Sequence, residues 1–473
     1  MLPDDSGWGV HVLAVETAPD GAVWVGTYGQ GIFVSRDGSG DEWEHITSEA
    51  DDGISWDFVH AFAFAPGQVW YGTIGNGWGL STDNGRSWRN WTFDELGPRW
   101  QYVAPDGIAA LNGTTFIATA DGLRITTDSG QSYREITDQN GLPNKYLLSL
   151  VVEPVSNGEP TIYVEHLHGI SKSHDGGQTW IDAPAMPDLR SDPSPLEARI
   201  HATQAQFRAF PSPGEAPVEA GEIDAFWFRR PIDPEDNAYI DQTYTYGSTM
   251  GGNFQQHQGI EFNDPEGTPV YAIGSGVVAL AEKAEAGSNT VAILHDRRLD
   301  DAYVWSSYYH NVDLAVEAGD RVEAGDLIAH TGNTGRATND HLHLEVHTTP
   351  TDDVSLVVNA EERYPRYTRN PQLWIEPLPG TGVIAGRVFD GDGQPVPGAR
   401  VYAIMKERPR ETPCSFAETY EDKAHSDPRF DEHFVIGDVP AGTHVIGVEI
   451  DGAKVYRAVE VVAGKVTLVE LRP

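Results

Sequence analysis

A short turn motif recurs four times in the first 180 residues of the chain, and this regularity limits the fold more than any other feature. Each copy places an aspartate and a glycine ahead of an aromatic residue; the aspartates are Asp37, Asp83, Asp128 and Asp175. They are 46, 45 and 47 residues apart, and strand-like stretches precede them. Repeats of this length predict one four-stranded unit each, as in the blades of a β-propeller.

The four segments resemble Asp-box repeats, also called bacterial neuraminidase repeats. In that motif the aspartate accepts backbone N–H groups of a tight turn, the glycine supplies a positive φ angle, and the aromatic ring packs between strands. We therefore expect the four aspartates to be structural. Sialidases also carry such repeats, but the sequence has no arginine cluster of the kind that binds a carboxylate substrate. Four blades are few for a closed ring, so ring closure and a glycan or protein ligand stay open.

Composition divides the rest of the chain. Residues 1–183 contain the repeats, and residues 184–222 are rich in Pro, Ala and Glu, which indicates a connector with one or two edge strands. A second globular segment covers 223–375. In the third, 376–473, alternating strands are separated by Gly, Pro and Asp turns. This last segment resembles the carboxypeptidase-regulatory-like, transthyretin-like β-sandwich family, whose modules are mostly accessory. The expected fold class is all-β.

Strict alternation of polar and apolar residues between positions 341 and 347 predicts a β-strand. The apolar residues fit a core on one face, and the opposite face carries His341, His343, Glu345 and His347. Neighbours on one face of a strand lie about 6–7 Å apart. Two imidazoles at that spacing can both reach one metal ion, or one can bind it while the other contacts its water.

A second candidate group precedes this strand. In an extended chain His257, Gly259 and Glu261 share one face, and the glycine leaves room for an ion and its waters. Neutral imidazole and carboxylate are standard zinc ligands. With His343 they make three protein ligands, which leaves the open position that a catalytic zinc needs.

The segment from about residue 226 to residue 350 resembles the lysostaphin-type zinc metallopeptidases, which cut the peptide part of the bacterial cell wall and fold as a two-layered antiparallel β groove. The family motif His-x-Gly-x-Asp, followed by Gly-Thr-Pro-Val, falls on residues 257–261 and 267–270. The family's His-Leu-His strand falls on residues 341–343. Glu261 stands where the family usually has Asp. Its side chain is one methylene longer, so the backbone or the rotamer must adjust.

The resemblance implies that His257, Glu261 and His343 bind Zn²⁺, while His310 and His341 assist catalysis. Zinc would lower the pKa of a bound water towards about 7. His341 would accept the proton of that water as general base, and His310 would hydrogen-bond the water or the developing oxyanion.

The other polar residues of this segment have plainer expected roles. We expect Tyr309 to be a wall of the groove, and the remaining histidines to be structural or on the surface; these are His295, His330 and His347.

Two other functions compete with this interpretation. The first is a catalytically silent domain of the same fold that binds cell wall or activates a partner hydrolase. In the second, the repeats carry the main function as a glycan- or protein-binding module. All five key positions carry residues able to do the chemistry, which favours the enzyme.

Charge and hydropathy restrict the partners and the location. The formal net charge is −39, which opposes binding to nucleic acid or to an anionic membrane surface. No apolar run approaches the 18 residues of a membrane-spanning helix. The first ten residues lack the pattern of a signal peptide, and the single cysteine, Cys414, allows no internal disulfide. A cell-wall hydrolase would act as a secreted or cell-surface protein.

Overall fold

The computed structural model describes residues 2–3, 10–96, 100–156, 158–189, 192–208, 215–222, 224–242, 244–250, 254–337, 340–359, 364–404 and 415–473. The protein is mostly β, with several small antiparallel sheets. The chain divides into two compact units, Met1–Gln206 and Phe207–Pro473. Among the described helices, none combines the length and the apolar character needed to cross a membrane.

Each repeat of the first unit forms one four-stranded antiparallel sheet whose strands follow chain order, which confirms the prediction of one such unit per repeat. The strands of the first two sheets are β1 (Val12–Thr17), β2 (Val23–Thr27), β3 (Ile32–Ser35), β4 (Glu44–Ile46), β5 (Val59–Ala65), β6 (Gln68–Thr73), β7 (Trp78–Ser81) and β8 (Arg89–Trp91). A short helix, α1 (Phe93–Leu96), follows. The next two sheets contain β9 (Val103–Leu111), β10 (Thr114–Thr119), β11 (Gly122–Thr126), β12 (Arg134–Ile136), β13 (Leu147–Glu153), β14 (Thr161–His166), β15 (Gly169–Ser173) and β16 (Ile181–Asp182), with a 3-10 turn at Asp138–Asn140.

The aspartate turns are held by short-range hydrogen bonds. Asp83 Oδ1 accepts from the Ser87 N–H at 2.9 Å, and Asp83 Oδ2 accepts from the Ser87 hydroxyl at 2.6 Å. Asp128 and Asp175 accept the corresponding pair of bonds from residues four positions ahead, with the same distances. Glycine is required in the turn because a Cβ on Gly85, whose φ is +86°, would lie 2.6 Å from the ring of Trp24.

A helix, α2 (Pro195–Arg208), occupies part of the stretch expected to be a connector with edge strands. Proline at the first helical position after a serine is a favoured helix start, and the Ser194 hydroxyl accepts the Glu197 N–H at 3.3 Å. Leu196 and Ile200 pack into an apolar cluster with valines of β1 and β2. Packing of this apolar stripe explains why the segment is helical despite its proline content.

The second unit contains the remaining strands. They are β17 (Ala220–Gly221), β18 (Ile260–Phe262), β19 (Pro269–Tyr271), β20 (Gly276–Lys283), β21 (Asn289–Leu299), β22 (Ala302–Asn311), β23 (Asp313–Leu314), β24 (Arg321–Val322), β25 (Leu327–His330), β26 (Leu342–Thr349), β27 (Thr368–Arg369), β28 (Thr381–Val388), β29 (Arg400–Ile404), β30 (Ser415–Glu418), β31 (Phe434–Pro440), β32 (Gly442–Ile450), β33 (Ala453–Val461) and β34 (Val466–Leu471). Short 3-10 turns lie at Glu285–Gly287, Val354–Leu356 and Pro371–Leu373.

Four sheets organise these strands. The largest runs β18-β26-β22-β21-β20-β24, with β27 also paired to β26, and a smaller one runs β19-β25-β23. The C-terminal strands form the sheets β17-β34-β28-β31 and β30-β29-β32-β33. β17 lies at a sheet edge, as the expectation of an edge strand in the connector requires.

Strand β26 lies between β18 and β22 and supplies both a core face and a polar face. Its apolar side chains, Leu342, Leu344 and Val346, are fully buried in one core, as the alternation predicted. The same core contains Val435 and Val466 from the C-terminal segment. The face of β26 opposite its polar side chains therefore packs against apolar side chains from both parts of the second unit.

Candidate metal centre

Three side chains of the second unit bring metal-binding atoms together beside β26. One donor atom each from His257, Glu261 and His343 lie within 4.8 Å of one another. His257 Nε2 is 3.0 Å from His343 Nδ1 and 3.3 Å from Glu261 Oε1. The sequence indicated the same three residues, and together they form a candidate metal site.

Pairing of adjacent strands and one stacked ring position these atoms. Glu261 on β18 is the direct register partner of His343 on β26. His257 precedes β18, and its ring stacks on Tyr244 with centroids 4.0 Å apart and planes 10° apart. Its Nδ1 lies 2.6 Å from the Tyr244 carbonyl oxygen, which requires an Nδ1–H donor. The lone pair of His257 is therefore on Nε2, the nitrogen that faces Glu261 and His343.

The second ring nitrogen of His343, Nε2, has a carboxylate partner that sequence reasoning missed. His343 Nε2 is 3.3 Å from Glu345 Oε1. Glu345 Oε2 in turn lies 3.1 Å from His347 Nε2 and accepts the Tyr309 hydroxyl at 3.3 Å. In the neutral ring, an Nε2–H donor to Glu345 leaves the lone pair of His343 on Nδ1, which faces the other two donors. The only available sequence signal was that Glu345 shares a strand face with His343.

Gly259 has a role different from the one expected. A Cβ at this position would lie 2.4 Å from the Leu344 carbonyl oxygen and 2.7 Å from His343 Nε2. The space that glycine leaves between His257 and Glu261 is thus filled by the β26 backbone and the His343 ring, so this space does not hold an ion and its waters. The glycine brings the metal-binding segment close to its strand partner.

His310 and His341 lie next to the three donors. Their ring centroids are 4.7 Å apart, and His341 Nε2 is 3.6 Å from Glu261 Oε1. His310 Nδ1 lies 2.8 Å from the Thr334 carbonyl oxygen, so the proton of its neutral ring is on Nδ1 and its Nε2 carries the lone pair. His310 has φ +68°, a conformation uncommon for residues other than glycine and often found at functional sites.

The two buried carboxylates of this cluster are ionised. Burial raises the pKa of Glu345, but hydrogen bonds from His343 and His347 outweigh it and lower that pKa to about 2. Burial likewise opposes ionisation of Glu261, and the neighbouring His341 and His257 bring its pKa well below 4.5. Burial lowers the pKa of His343, but hydrogen bonds with Glu261 and Glu345 outweigh it and raise that pKa to about 9, so His343 supplies positive charge here in the absence of a metal. A bound metal would take the place of that proton. Two imidazole nitrogens and one carboxylate oxygen within 4.8 Å of one another fit Zn²⁺.

The donors lie in a pocket whose wall includes Tyr309, as expected, together with His310, Arg336 and Tyr364. His341 is buried and does not line this pocket, and neither do the three histidines expected to be structural or on the surface. His347 is fully buried against the Ser307 hydroxyl at 3.0 Å, and His295 Nε2 contacts the Ser306 hydroxyl at 2.9 Å. His330 pairs with Asp313 at 2.7 Å.

Residues 255–355 match the model of Peptidase family M23. This stretch is an M23 peptidase domain. It contains the three donors and both neighbouring histidines, so the metal centre and the family match coincide.

Curated relatives match about a fifth to a quarter of the chain. "Uncharacterized metalloprotease" of Buchnera aphidicola is 40% identical over 90 residues, which are 19% of this chain and 23% of that protein. Peptidoglycan DD-endopeptidase ShyC of Vibrio cholerae is 33% identical over 121 residues, 26% of this chain and 24% of that protein. The chain thus spans about a quarter of the length of these relatives. Among solved structures, the catalytic domain of the antimicrobial peptidase lysostaphin from Staphylococcus simulans is 29% identical, covering 27% of this chain and 86% of that chain, with a TM-score of 0.22.

Proposed function

We propose that the protein is a zinc-dependent endopeptidase that hydrolyses peptide bonds in bacterial peptidoglycan. One observation carries the proposal: His257, Glu261 and His343 place metal-binding atoms within 4.8 Å of one another inside the M23 domain. Two relatives of the chain are named peptidoglycan DD-endopeptidases, which supports the substrate class.

In this proposal His257 Nε2, a Glu261 oxygen and His343 Nδ1 hold the zinc. When bound, zinc supplies a Lewis acid that polarises the scissile carbonyl and acidifies a water. Glu345 and the Tyr244 carbonyl oxygen keep His343 and His257 in the tautomers that can bind it. Tyr309 supports Glu345 from the neighbouring strand.

His341 is the proposed general base, because it lies beside Glu261 without belonging to the tight group of donors. With its Nδ1–H bound to the Thr334 carbonyl, His310 can accept a hydrogen bond from the attacking water through Nε2. His341 takes one proton of that water; if the second moves to His310 Nε2, that nitrogen becomes a donor to the oxyanion. The two histidines thus divide proton transfer and charge stabilisation between them.

The remainder of the chain has an architectural role in this proposal. We assign the first unit to Asp-box repeats of β-propeller type, supported by its four successive four-stranded sheets. The strands from Thr381 onwards are assigned to a transthyretin-like β-sandwich, supported by their two four-stranded sheets, in one of which β28 and β34 pair in parallel. Peptidoglycan as substrate implies a secreted or cell-surface location.

Digestion of purified peptidoglycan with the zinc-loaded full chain tests the activity. Mass spectrometry of the soluble products should show new peptide termini that are absent with His341→Ala. A wild-type chain that binds zinc and releases nothing would favour the silent wall-binding alternative. In that case Glu261→Asp, which restores the family's usual residue, is the variant to test next.

A further inference from the structure

The segment that carries His257 has few bonds of its own. His257 pairs through its backbone with a neighbouring turn, since its N–H donates to the Ser248 carbonyl at 3.0 Å and its carbonyl accepts the Gly247 N–H at 2.9 Å. His257 lies outside the regular strands, and β18 begins only at Ile260. Something other than a sheet ladder must therefore hold this stretch in place.

The C-terminal segment holds it through the two residues that flank His257. Gln256 Oε1 accepts the backbone N–H groups of Lys423 and Ala424 at 3.0 and 3.2 Å, while its Nε2 donates to the Gly247 carbonyl at 3.0 Å. Gln258 Nε2 donates to the Lys423 carbonyl at 2.7 Å. Both glutamines are about 95% buried, at 4% and 5% exposure, so these bonds replace contacts with water.

Two further bonds connect the same parts of the chain. The Tyr246 hydroxyl accepts the His425 N–H at 2.8 Å. Glu418 Oε2 accepts the Thr249 N–H at 2.8 Å and the Thr249 hydroxyl at 2.6 Å. The turn opposite His257 is therefore bonded to the C-terminal segment on both sides of Gly247 and Ser248.

Apolar packing agrees with these bonds. Ala424 and Phe430 belong to the same buried core as Ile260 and Phe262, the residues on either side of the ligand Glu261. An accessory module on a linker would share no core with its neighbour and would meet it through a polar interface. The C-terminal strands do have a core of their own, but the core of the strand that carries a metal ligand also continues into the C-terminal segment.

We propose that the C-terminal segment, through the backbone of residues 423–425, positions His257 and so completes the metal centre. Gln256 and Gln258 are positioning residues because their side chains bond the backbone of Lys423 and Ala424 and act through the residue between them. This inference rests on the proposed metal site and assigns a role to a part of the chain that the sequence indicated only as accessory.

Binding of Co²⁺ to the full chain tests the inference without measuring peptidase activity. The absorption bands of bound Co²⁺ report the geometry of its ligands, and titration gives the affinity. Gln256→Ala should weaken Co²⁺ binding by roughly tenfold or more, the loss typical when a residue that orients a metal ligand is removed. It should also change the absorption bands. Tyr246→Phe, which removes one hydroxyl and keeps the ring, should shift both readouts in the same direction and by less.

Gln372→Ala is the matched control. Gln372 is also buried, and its Oε1 accepts a C-terminal backbone N–H, that of Gly437, at 2.9 Å, but it does not flank a metal ligand. It should lower thermal stability comparably and leave Co²⁺ binding unchanged.

Three outcomes would overturn the inference, and they are distinguishable. Wild-type affinity and absorption bands in Gln256→Ala would show that the bonds to residues 423–425 do not position His257. If that variant does not fold, the same result in Tyr246→Phe would show it. Equal loss of affinity in Gln372→Ala would show a general effect of stability. A wild-type chain that binds no Co²⁺ would overturn the proposed function as well.

Discussion

Carboxylates of the first and second units differ in how far along the chain their partners lie. Asp83 accepts hydrogen bonds from residues three and four positions ahead, so these partners belong to the same turn. Glu261 also has a partner four positions away, His257, but it lies against His341 and is the strand partner of His343, which are 80 and 82 positions ahead. Local partners make an acidic side chain part of a turn, whereas convergence of distant segments produces a site that can bind a ligand. The predictions below test whether this division between structural and functional residues holds.

The largest effect is expected for His343→Ala, which reduces three metal ligands to two. Zinc affinity should fall about a hundredfold or more, which exceeds the loss typical of removing a residue that only orients a ligand, and hydrolysis should disappear. Zinc titration with a competing chelator measures the affinity. His330→Ala, which removes a histidine paired with Asp313 outside the site, should retain wild-type affinity. Wild-type zinc affinity in His343→Ala would show that the assigned set of three zinc ligands is wrong.

His341→Ala and His310→Ala should separate binding zinc from using it. Each should keep near-normal zinc and lose about a hundredfold or more in turnover, as expected for removing a general base or an oxyanion partner. The double variant should lose less than the product of the single losses because both residues act on one transition state. Zinc content and initial rates on the same preparations provide the measurement. If His341→Ala lost its zinc, His341 would be a ligand and the proposed roles would be wrong.

A smaller effect is expected for Glu345→Gln, which keeps the shape of the side chain and removes its charge. The hydrogen bond to His343 Nε2 weakens, so zinc affinity should fall by roughly tenfold. Glu323→Gln, at an exposed carboxylate of the same domain, is the control. An unchanged dissociation constant for Glu345→Gln would mean that the orientation of His343 is fixed by packing alone.

The smallest effect is expected in the first unit, for Asp83→Ala. Loss of a turn cap should lower the melting temperature of that unit by roughly 2–4 °C, with zinc content and turnover unchanged. Hydrogen bonds, chiefly from the Ser87 hydroxyl, lower the pKa of Asp83 from 3.8 to about 2. Its stabilisation is therefore complete above about pH 4 and lost as the pH falls towards 2, so the wild type and the variant should converge in acid. A large loss of turnover at unchanged melting temperature would show that the turn is functional.

What could be predicted from sequence depended on the range of the interaction. The repeat spacing gave the four-stranded units, and alternation between His341 and His347 gave a strand with its core face correctly assigned. Helix α2 was not expected, because Pro and Ala suggested a linker and the packing of Leu196 and Ile200 in the first unit's core cannot be read from a local pattern. Tertiary packing outweighs local composition in such segments.

Long-range contacts account for what sequence could not give at the site. The motif indicated His257, Glu261 and His343, and the structure brings them together. The bond between Gln258 and Lys423 joins residues 165 positions apart, and no spacing rule indicates it. Gly259 was correctly singled out but for the wrong reason, because the close approach of His343 appears only when β18 and β26 are paired.

Zinc content of the purified full chain tests the central claim most directly. Native mass spectrometry of protein supplied with zinc should show about one zinc per chain, which a strong chelator removes, as expected for a single centre with three protein ligands. Protein that is folded by circular dichroism and supplied with zinc, yet carries no bound metal, would contradict the account.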